Sequence, residues 1–354
     1  LVFNLTPFYA EGGGQVGDKG YLESSKGDIF YILNTRKENN LIVHQTKTIP
    51  DSLDENFTAV VDAKQRKRTS SNHTATHLMH QALRSVLGTH VEQKGSMVHS
   101  GMFRFDFSHF SKVSAEELTA VEQFVNARIQ EQIELEEDRN TPYEKAIEKG
   151  AMALFGEKYG DTVRTIQFGQ SIELCGGTHV RNTAEIWHFK ILSESAVASG
   201  IRRIEAITGD AVKTYFEEQS ELLDKVNKLL KQNQDPLKAI TSLQSENADL
   251  KKEILTLSKL KVTMLVEKLK SEILEIEGIS FVAVEVDLDA QGMKDLSFEL
   301  GGTLDHAMLV FGSKKSGKAL LSCYISKSLV SDQQKDAGSI VRNLGKHIQG
   351  GGGG

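Results

Sequence analysis

Cysteine is scarce in this chain: Cys175 and Cys323 are the only two in 354 residues. Two widely separated thiols make no disulfide framework and fit a reducing compartment, so a cytoplasmic location is expected. Long apolar runs are missing too. No stretch approaches the length that crosses a bilayer, and the opening Leu1-Val-Phe-Asn lacks the basic region and apolar core of a secretory leader. No membrane partner is expected. No Gly-Lys-Ser/Thr ending follows the glycine-rich segments, so no phosphate loop and no ATP site are expected. No Ser/His/Asp arrangement suits nucleophilic catalysis. The net charge of −6 leaves local basic patches as the route to phosphate contacts. Lys64, Arg66, Lys67 and Arg68 form one patch; Arg202-Arg203, and Lys314-Lys315 with Lys318, form others.

What the sequence does carry is two ligand pairs. His73-Thr-Ala-Thr-His77 and Cys175-Gly-Gly-Thr-His179 each place two metal-binding side chains four residues apart. Helical periodicity in Leu78, Ala82, Leu83, Val86 and Leu87, with Asn72 as a cap, puts His73 and His77 on one helix face. The two glycines suggest a tight turn that brings Cys175 and His179 to one point. Three imidazoles and a thiolate suit tetrahedral Zn²⁺. His80, one turn after His77, is a rival ligand. Glu173 and Asp106 could orient ligands, though nothing in the spacing singles them out.

The length implies two or three domains, and a 39% hydrophobic content supplies their cores. The expected class is α+β. Residues 1–61 read as a small β-rich, barrel-like part, with strands at 31–33 and 41–44 and a glycine-rich turn near Gly12. Residues 62–215 read as α+β, with helices at 69–88, 114–137 and 143–149 and strands at 162–168, 187–193 and 202–208. The acidic run from Glu134 to Asp138 reads as a solvated helix end. Residues 216–277 read as a helical linker. There Leu222, Val226 and Leu229 form one stripe, and Pro236 breaks it. Leu243, Leu250, Leu257 and Met264 then fall seven apart, with Ile240, Asn247, Ile254 and Lys261 in the alternate seam. A coiled coil between chains and a hairpin within one chain both satisfy that pattern. Residues 278–354 read as a small α/β domain with strands at 282–286, 307–311 and 318–325 and a closing helix. Cys323 belongs to its core, and His306 to a loop. The leading Leu and the closing glycines at 350–354, hinge-like, suggest a segment of a longer protein.

Asn72-His-Thr-Ala-Thr-His77 together with Cys175-Gly-Gly-Thr-His179 resembles the editing-domain signature of the alanyl-tRNA synthetase family. Thr6-Pro-Phe-Tyr-Ala-Glu-Gly-Gly-Gly-Gln-Val-Gly-Asp18, Gln93-Lys-Gly-Ser96, Arg104-Phe-Asp-Phe-Ser-His109 and Gly200-Ile-Arg-Arg-Ile-Glu-Ala206 resemble further family motifs in the family's order. Gly12 stands where the family usually has serine, and Ser100 where proline is common. The resemblance implies a zinc-containing editing domain over 62–215, with His73, His77, Cys175 and His179 as ligands. It also implies hydrolysis of tRNA(Ala) mischarged with serine or glycine, with Thr76 and Gln93 in the pocket, and a C-terminal domain for tRNA binding or dimerisation. The aminoacylation module would lie outside this chain. A free-standing editing protein acting in trans, and a tRNA-binding module with structural zinc, are the alternatives. Threonyl-tRNA synthetases carry a related domain, but there a class II core follows it.

Overall fold

In the computed structural model of the chain, Gly13 and Gly14 take φ of +55° and +80°. This left-handed pair closes a two-residue turn in which Gly12 and Gln15 exchange backbone hydrogen bonds of 3.1 and 3.0 Å. All residues are described except 54, 154–158, 231–234, 316, 334–335, 349 and 354. The described chain is mixed α+β and divides into two units, Leu1–Asp224 and Lys225–Gly354.

The first unit begins with β1 (Gly20–Glu23), β2 (Ile29–Glu38), β3 (Leu41–Thr46) and β4 (Thr58–Val61), in the order β3-β2-β1-β4. Phe8, Leu22 and Ile32 fill its core. Among the described residues β3 and β4 do not pair, so this is an open sheet and not a barrel. Four strands are too few to curl closed around side chains.

Helix α1 (Ala63–Leu87) follows at once. Its N-cap is Asp62, which accepts from Gln65 N at 3.0 Å; Asn72 lies mid-helix, not at the cap. The expected basic patch therefore sits within the first turns. Two of its members are already paired, Arg66 with Asp18 and Arg68 with Asp210.

Strands β5 (Gln93–Val98) and β6 (Phe103–Ser108) come next, then α2 (Ala115–Gln130), capped by a Ser114–Glu117 capping box. The alternation Phe-Arg-Phe-Asp-Phe in β6 sends Phe103, Phe105 and Phe107 into the core. Each contributes about 1.5–3 kcal/mol on burial. The helix expected to reach 137 stops at 130. Its acidic tail instead forms β7 (Glu136–Pro142), which pairs with β8 (Thr162–Phe168). Cross-strand pairing and a partner for Glu137 outweigh the low strand propensity of these carboxylates. Helix α3 (Tyr143–Glu148) lies between the two strands, and β9 (Ser171–Leu174) completes the sheet β7-β8-β9. A 3-10 turn (Thr183–Ile186), β10 (Phe189–Ala198), β11 (Ile201–Thr208) and α4 (Asp210–Leu229) follow. The sheet order β10-β11-β6-β5 places Arg203 opposite Asp106. They form a two-point pair of 2.7 and 2.9 Å. Arg202 pairs with Glu194. Both arginines are thus engaged by carboxylates, and Asp106 faces Arg203 and no residue of the two ligand pairs.

In the second unit α5 (Pro236–Lys270) starts at Pro236 under an Asp235 cap. Its end buries Val262, Val266 and Leu269 with Leu296, Leu300 and Phe311. The heptad residues Leu243, Leu250, Leu257 and Met264 remain 50–74% exposed. Helix is not sustained to 276: β12 (Leu274–Ile276) pairs with β13 (Ile279–Glu285). Then come α6 (Ala290–Gly301), β14 (Ala307–Lys315), β15 (Lys318–Ile325), α7 (Lys327–Gln333), α8 (Ala337–Gly345) and β16 (Gly350–Gly353). The closing glycines, expected as a hinge, add a parallel edge strand beside β15; backbone groups alone suffice for such pairing. Cys323 is buried as expected, and burial pushes its thiol up to about 11.

Candidate metal centre

The middle of α1 is unusual for a buried helix. Thr69, Ser70, Ser71, Asn72, His73, Thr74, Thr76, His77 and His80 are all buried. Polar groups survive burial only when partnered, and here the partners come from across the unit. Ser70 Oγ donates to Thr178 Oγ1 at 2.8 Å, Asn72 Nδ2 to His99 O at 2.7 Å, and Thr208 Oγ1 to Asn72 Oδ1 at 2.6 Å.

One turn of α1 separates His73 and His77, whose ring centroids lie 5.2 Å apart. The Cys175–His179 loop leaves β9 and folds over them. Cys175 Sγ lies 3.5 Å from His73 Nε2 and 3.3 Å from His179 Nε2. The ligand atoms of His73, His77, Cys175 and His179 all fall within 4.8 Å of one another, and these four could hold a metal ion. They form the single such group of three or more among the described residues. The rival His80 is drawn elsewhere: its Nδ1 meets Glu173 Oε1 at 3.1 Å.

Four further residues, none of them singled out by spacing, hold this arrangement. Gln15 is wholly buried; its Oε1 accepts from His73 Nδ1 at 2.7 Å and from Thr178 N at 2.9 Å. That contact keeps the His73 proton on Nδ1 and leaves the bare Nε2 lone pair facing the centre. Thr74 Oγ1 lies 3.1 Å from His179 Nδ1. Arg164 Nη1 donates to Cys175 O at 3.0 Å and Gly177 O at 2.6 Å, while its Nε holds Glu137 at 2.8 Å. The acidic β7 thus fixes the arginine that clamps the loop. A Cβ on Gly177 would lie 2.1 Å from His73 Cε1, so only glycine fits there. Glu173 Oε2 stands 3.4 Å from His77 Nε2. His77 Nδ1 is buried without a hydrogen-bond partner among the described residues.

Burial pushes His73 down to about 3, with the neighbouring His77 adding to the effect. Burial likewise lowers His77 and places His179 well below the usual imidazole range. All three are therefore neutral, the form that binds metal. Burial raises Glu173, but His77 and His80 outweigh it and bring the carboxyl to about 2.

Thr76 and Gln93 stand outside the four-ligand cluster. Thr76 Oγ1 donates back along α1 to Asn72 O at 2.8 Å. Gln93 Nε2 donates to Ser96 Oγ at 3.2 Å. A Cβ on Gly14 would lie 2.3 Å from that Ser96 Oγ, so Gln93 and the glycine turn carrying Gln15 meet on either side of Ser96. No helix among the described residues is long and apolar enough to cross a membrane.

Two family models match the chain. Residues 163–205 match the threonyl and alanyl tRNA synthetase second additional domain, and residues 1–66 match tRNA synthetases class II (A). Both models describe segments of aminoacyl-tRNA synthetases. The whole chain is 61% identical to an alanine–tRNA ligase of Christiangramia forsetii, 53% to one of Flavobacterium psychrophilum and 44% to one of Porphyromonas gingivalis. It spans about two-fifths of the length of these relatives: 41%, 41% and 40%. Over its whole length the chain is similar to alanine–tRNA ligases.

Proposed function

We propose that this chain holds one zinc ion at His73, His77, Cys175 and His179 and there hydrolyses the ester of tRNA(Ala) mischarged with serine or glycine. The convergence of the two ligand pairs carries the reading. Tetrahedral zinc with nitrogen and sulfur donors has ligand–ligand edges of about 3.3–3.8 Å. The Cys175 contacts of 3.5 and 3.3 Å fall in that range. Bound zinc would supply a fixed positive charge and hold the loop against α1. Gln15, Thr74 and Glu173 orient its imidazole ligands.

The need for such a site follows from limited discrimination. A pocket built for alanine rejects neither the smaller glycine nor serine strongly. A second site can spare alanine by hydrogen-bonding a serine hydroxyl, leaving its own polar group unpaired when alanine binds. Thr76 and Gln93 are the side chains proposed for that pocket, and the lysines Lys314 and Lys318, both exposed, for tRNA phosphates. Lys315 already pairs with Asp287. The exposed α5 seam is proposed as a face for self-association, and the cytoplasm as the location. The test is deacylation of serine-, glycine- and alanine-charged tRNA(Ala), with and without a chelator. Faster loss of serine and glycine than of alanine supports the reading, and equal rates overturn it.

A second reading has one observation in its favour. Four protein donors fill a tetrahedral shell and leave no open position for water. In that reading the zinc is structural, and chelation would abolish folding of the unit together with any activity.

A further inference from the structure

Trp187 is the only tryptophan in the chain, and an unfavourable backbone holds it in solvent. It follows the 3-10 turn at φ +66°, ψ −62°, and the Ile186 carbonyl accepts from His188 N at 2.9 Å. This is the rare γ-turn, which glycine adopts easily and bulky residues avoid. Burial does not compensate: the indole residue is 58% exposed. Its ring begins a row. Trp187 lies 5.9 Å from His188, His188 lies 6.1 Å from Phe216, and Phe216 lies 5.7 Å from Tyr215, centroid to centroid. Phe216 is itself 47% exposed. Lys213, three residues before Phe216, shares its face of α4; its side chain is 66% exposed and lies 3.8 Å from the equally exposed Glu217, a loose pair open to exchange for a phosphate. None of these residues is a ligand of the metal centre or a partner of one.

We propose that this row is a stacking ledge for unpaired bases of an RNA strand. The proposal rests on the tRNA reading above and adds a contact to it. Successive aromatic faces stack bases of any sequence, and a nearby cation meets the phosphate. Four rings offer far less than the roughly 800 Å² per partner of a stable protein interface, which argues against a second copy as the occupant. Strain retained at a residue that packs against little fits a role in presenting its ring.

The single tryptophan makes the test direct. The chain is titrated with tRNA carrying a fluorescent label, following both label anisotropy and tryptophan emission. Emission should be quenched in step with binding. Trp187→Gly should retain the melting temperature and zinc content, because glycine accepts this turn, yet bind tRNA about 5- to 100-fold more weakly. Phe216→Ala should weaken binding in the same direction. Binding with unchanged emission, or full affinity in Trp187→Gly, overturns the ledge and leaves the tRNA reading standing. No anisotropy change at all overturns both. Emission that shifts with protein concentration in the absence of RNA means that copies cover the ledge, and overturns the RNA assignment.

Discussion

Gln15 and His73 are 58 residues apart in sequence, and their side chains meet at 2.7 Å in a fully buried hydrogen bond. A residue from a glycine turn thus sets the tautomer of a metal-ligand candidate on a helix. Gln15→Ala would leave His73 Nδ1 and Thr178 N without an acceptor. Zinc affinity should fall about 10- to 100-fold, as for other outer-layer partners. Competition with a chromogenic chelator measures it, and unchanged affinity would remove Gln15 from the site.

Gly177 and Gly176 provide a matched pair. Alanine at 177 drives a methyl into the His73 ring, whereas a Cβ at 176 meets nothing within 4 Å. Gly177→Ala should cost about 1–3 kcal/mol of stability and lower zinc content. Gly176→Ala should do neither. Denaturant melts and metal analysis of both variants decide the point, and equal behaviour would show that the loop yields freely.

The buried imidazoles make a pH prediction for the metal-free chain. Their folded-state values lie below the ordinary imidazole value of 6.5, with His73 at about 3. Below pH 6.5 the unfolded chain takes up protons that the folded chain refuses. Stability therefore holds above that pH and falls as pH drops toward the folded value, by up to about 1.4 kcal/mol per pH unit for each such histidine. Urea midpoints with chelator present should decline from pH 7 to pH 5. A flat profile would mean that the site admits charged imidazoles.

Gln93→Ala should slow deacylation of serine-charged tRNA about 3- to 10-fold, the effect of one neutral hydrogen bond. Zinc content should not change, since Gln93 contacts Ser96 and no ligand. If the rate is unchanged, Gln93 has no part in the pocket.

Leu250 is 50% exposed on α5. Leu250→Lys should alter stability by less than about 0.5 kcal/mol, as at other exposed sites. It should also weaken self-association, read by sedimentation velocity. A dimer that survives intact would move the interface off this seam.

The four-ligand cluster was legible because each pair is local: i, i+4 spacing on a helix and a glycine-rich turn both act over a few residues. Strands 162–168 and 318–325 were legible for the same reason. Gln15 and Arg164 were not, and Glu173 was visible only as one of two carboxylates that could orient a ligand. Each acts through a contact that exists only once distant segments pair, and a lone glutamine, glutamate or arginine has no periodicity to betray it. β7 was misread because its carboxylates look like a solvated helix end, while their reason for being in a strand, the Glu137–Arg164 pair, lies 27 residues on. The barrel-like reading of 1–61 failed because turns and strand lengths do not specify closure.

The sequence distance between the two ligand pairs also bears on synthesis. His73 precedes Cys175 by 102 residues. At about 5–20 residues per second, the helical pair waits about 5–20 s for its partners to leave the ribosome. Until then two neutral imidazoles make only half a shell. The proposed zinc could therefore complete its shell only after Cys175 and His179 emerge, when α1, β5 and β6 have been made and β10 and β11 have not.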